Sequence, residues 1–268
     1  MAQNISKKLA DRILSNTYNR QTSSIDFYIS NQGDDSIADG TEIKPFKTLE
    51  TCIKYLQDNI YTNYDVNINF ATDYTEETKN FSIKNVGTRG YLILNGNNHN
   101  VIFKGGLSLY LDKFHIKNIN FDFGSEVKNP TLYLTENSYG YAENITINNN
   151  NASYVNVNTQ RGATLILRQK ISFTGNNTES LFAAERSSKI IFESSSDTVV
   201  DINGSFNAVF NVFNNSMINV RNDVKFTGNG VGKKYNLGYC SCLNLMGRGD
   251  SIITASELGT KDETSIIC

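Results

Sequence analysis

The sequence has no tryptophan, two prolines, two histidines and four cysteines, and no long apolar run. Without a stretch near the ~18–20 apolar residues that cross a bilayer, no membrane-inserted helix is expected. The net charge is −2, from 25 basic and 27 acidic residues with the signs interspersed, so there is neither a basic stripe for nucleic acid nor a polybasic patch for a membrane surface. The cysteines make no disulfide framework. Cys52 lies in an expected helix, Cys240 and Cys242 are two apart on one strand face, and Cys268 is terminal. With His99 and His115 the only histidines, Cys-x-Cys is a poor zinc site, so free core thiols are expected and no metal or other cofactor is implied.

What is abundant is Asn, Thr, Ser and Ile, with few helix formers after residue 60, and this bias favours β structure. The 268 residues are enough for one elongated domain or two compact ones. The first residues, MAQNISKKLADRILSNTYN, lack a continuous apolar signal core. Ile5, Leu9 and Ile13, four apart, suggest an amphipathic helix that either frays or docks, and residues 1–24 are set apart as that segment.

A repeat decides the architecture. Apolar pairs split by one residue occur at Ile68/Phe70, Leu92/Leu94, Ile119/Phe121, Ile145/Ile147, Ile171/Phe173, Val200/Ile202 and Val224/Phe226. Their first members are 24, 27, 26, 26, 29 and 24 residues apart. Two positions beyond the pair stand Gly96, Asn149, Gly175, Gly204 and Gly228, the residue types that enter left-handed conformations at least cost; Phe123 breaks the series. A second ladder runs Leu109/Leu111, Leu132/Leu134, Leu165/Leu167, Ile190/Phe192 and Ile218/Val220, and a less regular third passes through Val101/Phe103 and Val155/Val157. Three short strands per turn describe an all-β parallel β-helix over residues 63–230, about seven coils and on the order of 35 Å long. An antiparallel sandwich also has regular short strands, but it does not need one turn residue at a fixed interval.

Such a solenoid has exposed strand edges at its ends. Residues 25–62 supply a cover: a strand, a Gly/Asp-rich loop, then Phe46, Leu49, Ile53 and Leu56 at helical spacing, with Pro45 opening the helix and Thr48 offering its hydroxyl to the first turn. Asp34, Asp35 and Asp39 read as hydrogen-bonded turn residues rather than a cation site.

The order strand, Gly33-Asp34-Asp35-Ser36, Asp39-Gly40-Thr41, Pro45-Phe46-Lys47-Thr48-Leu49 and helix resembles the start of β-helical domains in bacteriophage tail spikes and tail fibres. In residues 231–268, Lys234-Tyr235, Gly247-Arg248-Gly249 and Leu258-Gly259-Thr260 are similar to a closing module of some phage tail proteins, with Thr254-Ala255 in place of its Pro-Gly step. The resemblance implies a right-handed, pectate-lyase-like β-helix and a virion tail component assembled in the host cytoplasm. It also implies a homotrimer joined to other tail or baseplate proteins and meeting host surface polysaccharide. Lacking a signal core, the chain is expected to reach the exterior in a particle released on lysis.

Some relatives in that family are depolymerases, an activity that would need outward acids. The column after the second ladder holds Asp112, Thr135 with Glu136, Arg168, Glu193 and Arg221. Asp112 and Glu136 are the pair a lyase or glycoside hydrolase could use, whereas Arg168, Glu193 and Arg221 alternate in sign as stacked structural charges do. Glu179, Glu185, Asp197 and Asp201 fall on different faces, and the histidines show no triad spacing. Arg248-Gly249-Asp250 matches an integrin tripeptide but reads as a Gly-x-Gly turn. Outward Tyr110, Tyr133, Ile166 and Ile191 are expected to align as an apolar stripe for subunit contact around a threefold axis. Tyr139 and Tyr141, on an expected protruding loop from Thr135 to Asn144, suit stacking on sugar rings. The reading favoured is a structural, receptor-binding tail protein; the alternatives are a polysaccharide depolymerase on the same scaffold and a bacterial surface adhesin.

Overall fold

A computed structural model describes residues 23–193 and 197–268; the expected N-terminal helix lies outside them. Nearly all strands pair in parallel, forming a β-solenoid of about eight turns that fits a right-handed parallel β-helix. One α-helix, α1 (Leu49–Asn59), is present among the described residues.

Each coil carries strands of three sheets. Sheet A stacks Ile25–Ile29, Val66–Phe70, Leu92–Asn95, the first halves of the long strands Lys113–Gly124, Tyr139–Ala152 and Thr164–Asn177, then Lys189–Phe192, Met217–Val220, Cys242–Asn244 and Ile266–Ile267. Sheet B takes the second halves of those long strands, and sheet C includes Gly106–Tyr110, Leu132–Leu134, Val157–Thr159 and Phe182–Ala184. Alternation turns every second side chain inward, and the inward positions are apolar on all three sheets. Full burial of such a side chain contributes about 1.5–3 kcal/mol, and these columns run the length of one core.

Ile145, Ile171 and Val200 stack in register, as the repeat requires. The expected ladders nevertheless cross between sheets. Leu92/Leu94 stacks on Phe114/Ile116, while Ile119/Phe121 belongs to sheet B beside Phe103. The second ladder likewise passes from sheet C at Leu109 and Leu134 to sheet A at Leu165 and Ile190. At the far end Val200 stacks on Phe226, so Val224/Phe226 is displaced by two residues. The reason is geometric: the corner between sheets A and B is tight, so inward pairs of both sheets recur at the same interval. The strand Lys225–Gly238 runs through the expected boundary at residue 230, and the last segment adds further rungs to sheets A and C.

The A–B corner is turned by left-handed residues, Asn118 (φ 58), Asn144 (φ 52) and Gln169 (φ 57). Their amides link coils: Asn118 Nδ2 donates to Asn95 Oδ1 and Asn144 Nδ2 to Asn118 Oδ1, each at 3.1 Å. Further along sheet B, Asn149 lies beside Gly175, which has φ 78, and Gly204, with φ 131, lies directly on Gly175. A methyl on Gly204 would overlap the Gly175 carbonyl oxygen, so glycine is required for close approach as well as for φ.

Helix α1 covers the first coil with Leu49, Cys52, Ile53 and Leu56. It begins at Leu49 rather than Pro45. Phe46 is extended, its N–H donating to the Tyr28 carbonyl at 2.9 Å, and its ring meets Phe27 and Tyr55. Thr48 caps the helix, accepting from Thr51 N–H at 3.2 Å. Asp35 organises the entry, taking hydrogen bonds from Lys47 N–H (2.7 Å), the Thr48 hydroxyl (2.7 Å) and the Thr51 hydroxyl (3.0 Å). Asp34 and Asp39 hold their own turns through Ser36 and Thr41.

Partial burial works against ionisation of Asp35, but its hydrogen bonds outweigh it and hold the carboxyl below the usual range. A depressed folded value means the contribution is present above the unfolded pKa and is lost as pH falls through the folded one. Asp35→Ala is expected to lower stability by about 1–2 kcal/mol at neutral pH, with the gap to wild type narrowing as pH falls through the folded value of Asp35 in denaturant titrations. Gly204→Ala is expected to cost about 2 kcal/mol or more, whereas Gly124→Ala, with open space at its Cβ, stays within about 0.5 kcal/mol when thermal midpoints are compared.

Candidate functional site

The outer face of sheet A gathers the densest chemistry among the described residues. Three neighbouring columns emerge from the pleat. One stacks His115, Tyr141, Ile166, Ile191 and Asn219; the second carries Lys113, Tyr139, Thr164 and Lys189; the third runs Lys117, Glu143 and Arg168. Residues about 26 apart in sequence thereby become neighbours at strand spacing.

Tyr141 is the centre. The guanidinium carbon of Arg168 sits 4.0 Å from its ring centroid, and Tyr139 meets it edge-on at 5.7 Å with the two hydroxyls 3.1 Å apart. Tyr91 and His115 lie 5.8 and 5.7 Å from the same ring. Lys113 Nζ stands 5.8 Å from the Tyr91 centroid. Arg168 is held in place by Glu193, with Nε 2.6 Å from Oε2 and Nη2 against the same oxygen. His115 Nε2 is buried and 3.1 Å from Glu143 Oε1, off the line of a hydrogen bond, so the contact is an electrostatic one.

These contacts set the protonation states. The Tyr141 hydroxyl, aided by burial, pushes the Tyr139 phenol up to about 12, and burial, then Tyr141, raises Tyr91. Against the cost of burial, His115 holds the Glu143 carboxyl below its ordinary range, with Lys117 and Arg168 adding to the effect. A carboxylate kept ionised by neighbouring cations is unsuited to donate a proton at neutral pH, and Glu193 is committed to Arg168. The cluster therefore presents aromatic edges and faces, with fixed cations and hydrogen-bonding hydroxyls beside them, a chemistry suited to contact with a ligand rather than to proton transfer.

The structure redistributes the expected site residues. Tyr139 and Tyr141 are not on a protruding loop; they lie in the strand Tyr139–Ala152, which holds them more rigidly than a loop would. The stripe of Tyr110, Tyr133, Ile166 and Ile191 is not one face. Tyr110 and Tyr133 meet edge-on at 6.4 Å on sheet C, whereas Ile166 and Ile191 stack on sheet A directly beyond Tyr141, with Ile166 buried. Asp112 and Glu136 each have other contacts. The Asp112 carbonyl accepts from Tyr139 N–H at 3.1 Å, and Glu136, in a left-handed turn, reaches Arg161 at 3.7 Å.

The expected charge ladder holds at Arg168 and Glu193 and extends back to Glu143 and His115, which the alternation of signs alone did not bring in. The signal was present as spacing, since Lys117, Glu143, Arg168 and Glu193 are 26, 25 and 25 residues apart. A second polar line on sheet C was missed: the Tyr133 hydroxyl contacts Gln160 Oε1 at 3.3 Å, and Gln160 Nε2 donates to Glu185 Oε2 at 3.0 Å. Burial raises the pKa of the Glu185 carboxyl.

The remaining motifs are structural. Arg248 donates to the carbonyls of Val220, Arg221, Asn222 and Val224, and Asp250 engages Lys234 and Tyr235, so the Arg-Gly-Asp side chains serve the fold. Gly247 and Gly249 both have φ 73, as a Gly-x-Gly turn requires. Cys52 is a buried thiol, but Cys240 and Cys268 are exposed and Cys242 half-buried, so three of the four do not belong to the core. Among the described residues no group of three or more His, Cys, Asp or Glu side chains is placed to hold a metal ion, and no helix is long and apolar enough to cross a membrane. Comparison of the chain with protein-family models, with curated proteins and with solved structures finds no match in any of the three.

Proposed function

We propose that this chain is a tail fibre or tail spike protein of a phage or phage-like particle, acting as a structural and receptor-binding rod that contacts a host surface polysaccharide. The observation that carries the polysaccharide part is the cluster of Tyr91, Tyr139 and Tyr141 with Arg168 clamped on the Tyr141 ring, fixed on the rigid face of sheet A. Sugar rings present apolar C–H faces and hydroxyl edges, and this surface offers ring faces and edges, phenols and a cation to match them.

The viral part rests on the opening segment, whose Asp35 and Thr48 organise the cap that plugs the solenoid, and on the resemblance of that segment to phage tail proteins. A homotrimer, bound to other tail or baseplate proteins in a virion assembled in the host cytoplasm, follows from the same resemblance. No acid of the sheet A cluster is free to act as a proton donor, which favours binding without cleavage.

Binding to capsule or lipopolysaccharide from the host, followed by calorimetry, is expected to weaken about tenfold in Tyr141→Ala and in Arg168→Ala, with the thermal midpoint near that of wild type. Unchanged affinity in both variants would remove sheet A as the receptor surface, and released oligosaccharide in the same incubation would replace binding by depolymerisation. Sedimentation is expected to show a trimer; a monomer at micromolar concentration would contradict the assembly.

A further inference from the structure

The last described coil, opposite helix α1, carries two-residue strands. Sheet A finishes in the two-residue strand Ile266–Ile267, paired to the coil beneath through Cys242 with Ile266 and Leu243 with Ile267. Sheet C finishes in Thr260–Lys261, and Ile266 is 56% exposed. At this weak rung two thiols meet: Cys242 Sγ and Cys268 Sγ are 3.9 Å apart, one half-buried and the other exposed.

We propose that Cys242 and Cys268 form an oxidisable pair whose disulfide ties the Ile266–Ile267 rung to the coil beneath it. Cys268 N–H donates to the Leu243 carbonyl and the Cys268 carbonyl accepts from Leu245 N–H, which puts Cys268 opposite Asn244. The sulfurs thus approach along a diagonal of the ladder. Bringing them to bonding distance, roughly 2 Å, draws Cys268 back toward Ile266. Cys52 is buried under the cap at the other end and does not compete. Cys240 is two residues before Cys242 in a left-handed turn (φ 59), with its N–H held by the Thr264 hydroxyl at 2.9 Å.

The chemistry is a two-electron oxidation by a small disulfide such as oxidised glutathione. The Cys268 thiolate attacks one glutathione sulfur, breaking the glutathione S–S bond and releasing a first glutathione thiolate. The Cys242 thiolate then attacks the Cys268 sulfur of the mixed disulfide and displaces the second. Both protein thiol protons end on the two glutathione thiols, the protein pair is oxidised and the glutathione disulfide is reduced. Burial and the contact with Cys268 push the Cys242 thiol up to about 11, so closure is slow at neutral pH and accelerates as pH rises. None of this depends on what the sheet A surface binds.

The test treats the reduced full-length protein with oxidised glutathione and follows it by intact mass, peptide mapping and hydrogen exchange. The expected product has lost about 2 Da, yields a Cys242–Cys268 cross-linked peptide, and exchanges residues 260–267 about tenfold or more slowly than the reduced form. Cys240→Ser keeps all three results; Cys242→Ser and, separately, the exposed-site variant Cys268→Ser lose them. Persistent glutathione adducts without closure, a cross-link through Cys240, or disulfide-linked dimers on a non-reducing gel would each overturn the proposal.

Discussion

The whole molecule depends on parallel backbone pairing between one coil and the next. Each coil leaves its strand N–H and C=O groups to be satisfied by its neighbours, so no coil is stable alone and each one templates the next. That condition keeps neighbouring rungs in register apart from local bulges, and register in turn sets apolar residues onto apolar residues through most of the core. The tolerance is small, as the Gly175–Gly204 contact shows: two coils touch there backbone to backbone, with no room for a Cβ.

The same pairing would leave an open edge at the first coil, and helix α1 covers it. At the start, Asp35 fixes Thr48 and the first turn of α1, and the helix lays Leu49, Ile53 and Leu56 across the first coil. This covers apolar surface and removes an edge that would otherwise recruit another strand. At the other end the last strands are short, and Ile266 faces outward.

Function follows from what the pleat turns outward. A flat parallel face has little relief, so recognition must come from side chains stacked between coils rather than from a deep cavity. On sheet A, Arg168 is pinned from one coil by Glu193 and from another by the Tyr141 ring, and the Tyr139 and Tyr141 hydroxyls fix each other. Side chains already immobilised would lose little freedom when a ligand arrives, which is why the proposed receptor surface is placed here.

The solenoid itself was legible in the residues: the near-constant interval between apolar pairs, the Gly and Asn at turns, and the capping segment with Thr48 at its helix start all carry local or periodic causes. So was the charge relation of Arg168 and Glu193. Which sheet each apolar pair occupies was not, because inward pairs on neighbouring sheets repeat at the same interval, and the length of a corner is set by how Asn118, Asn144 and Gln169 turn the chain in three dimensions. That choice separated Tyr110 and Tyr133 from Ile166 and Ile191, and it gathered Tyr91, His115, Tyr139, Tyr141 and Glu143 onto one face. Period alone determined that the chain winds; the corners, which only the packed coils define, decided which side chains meet.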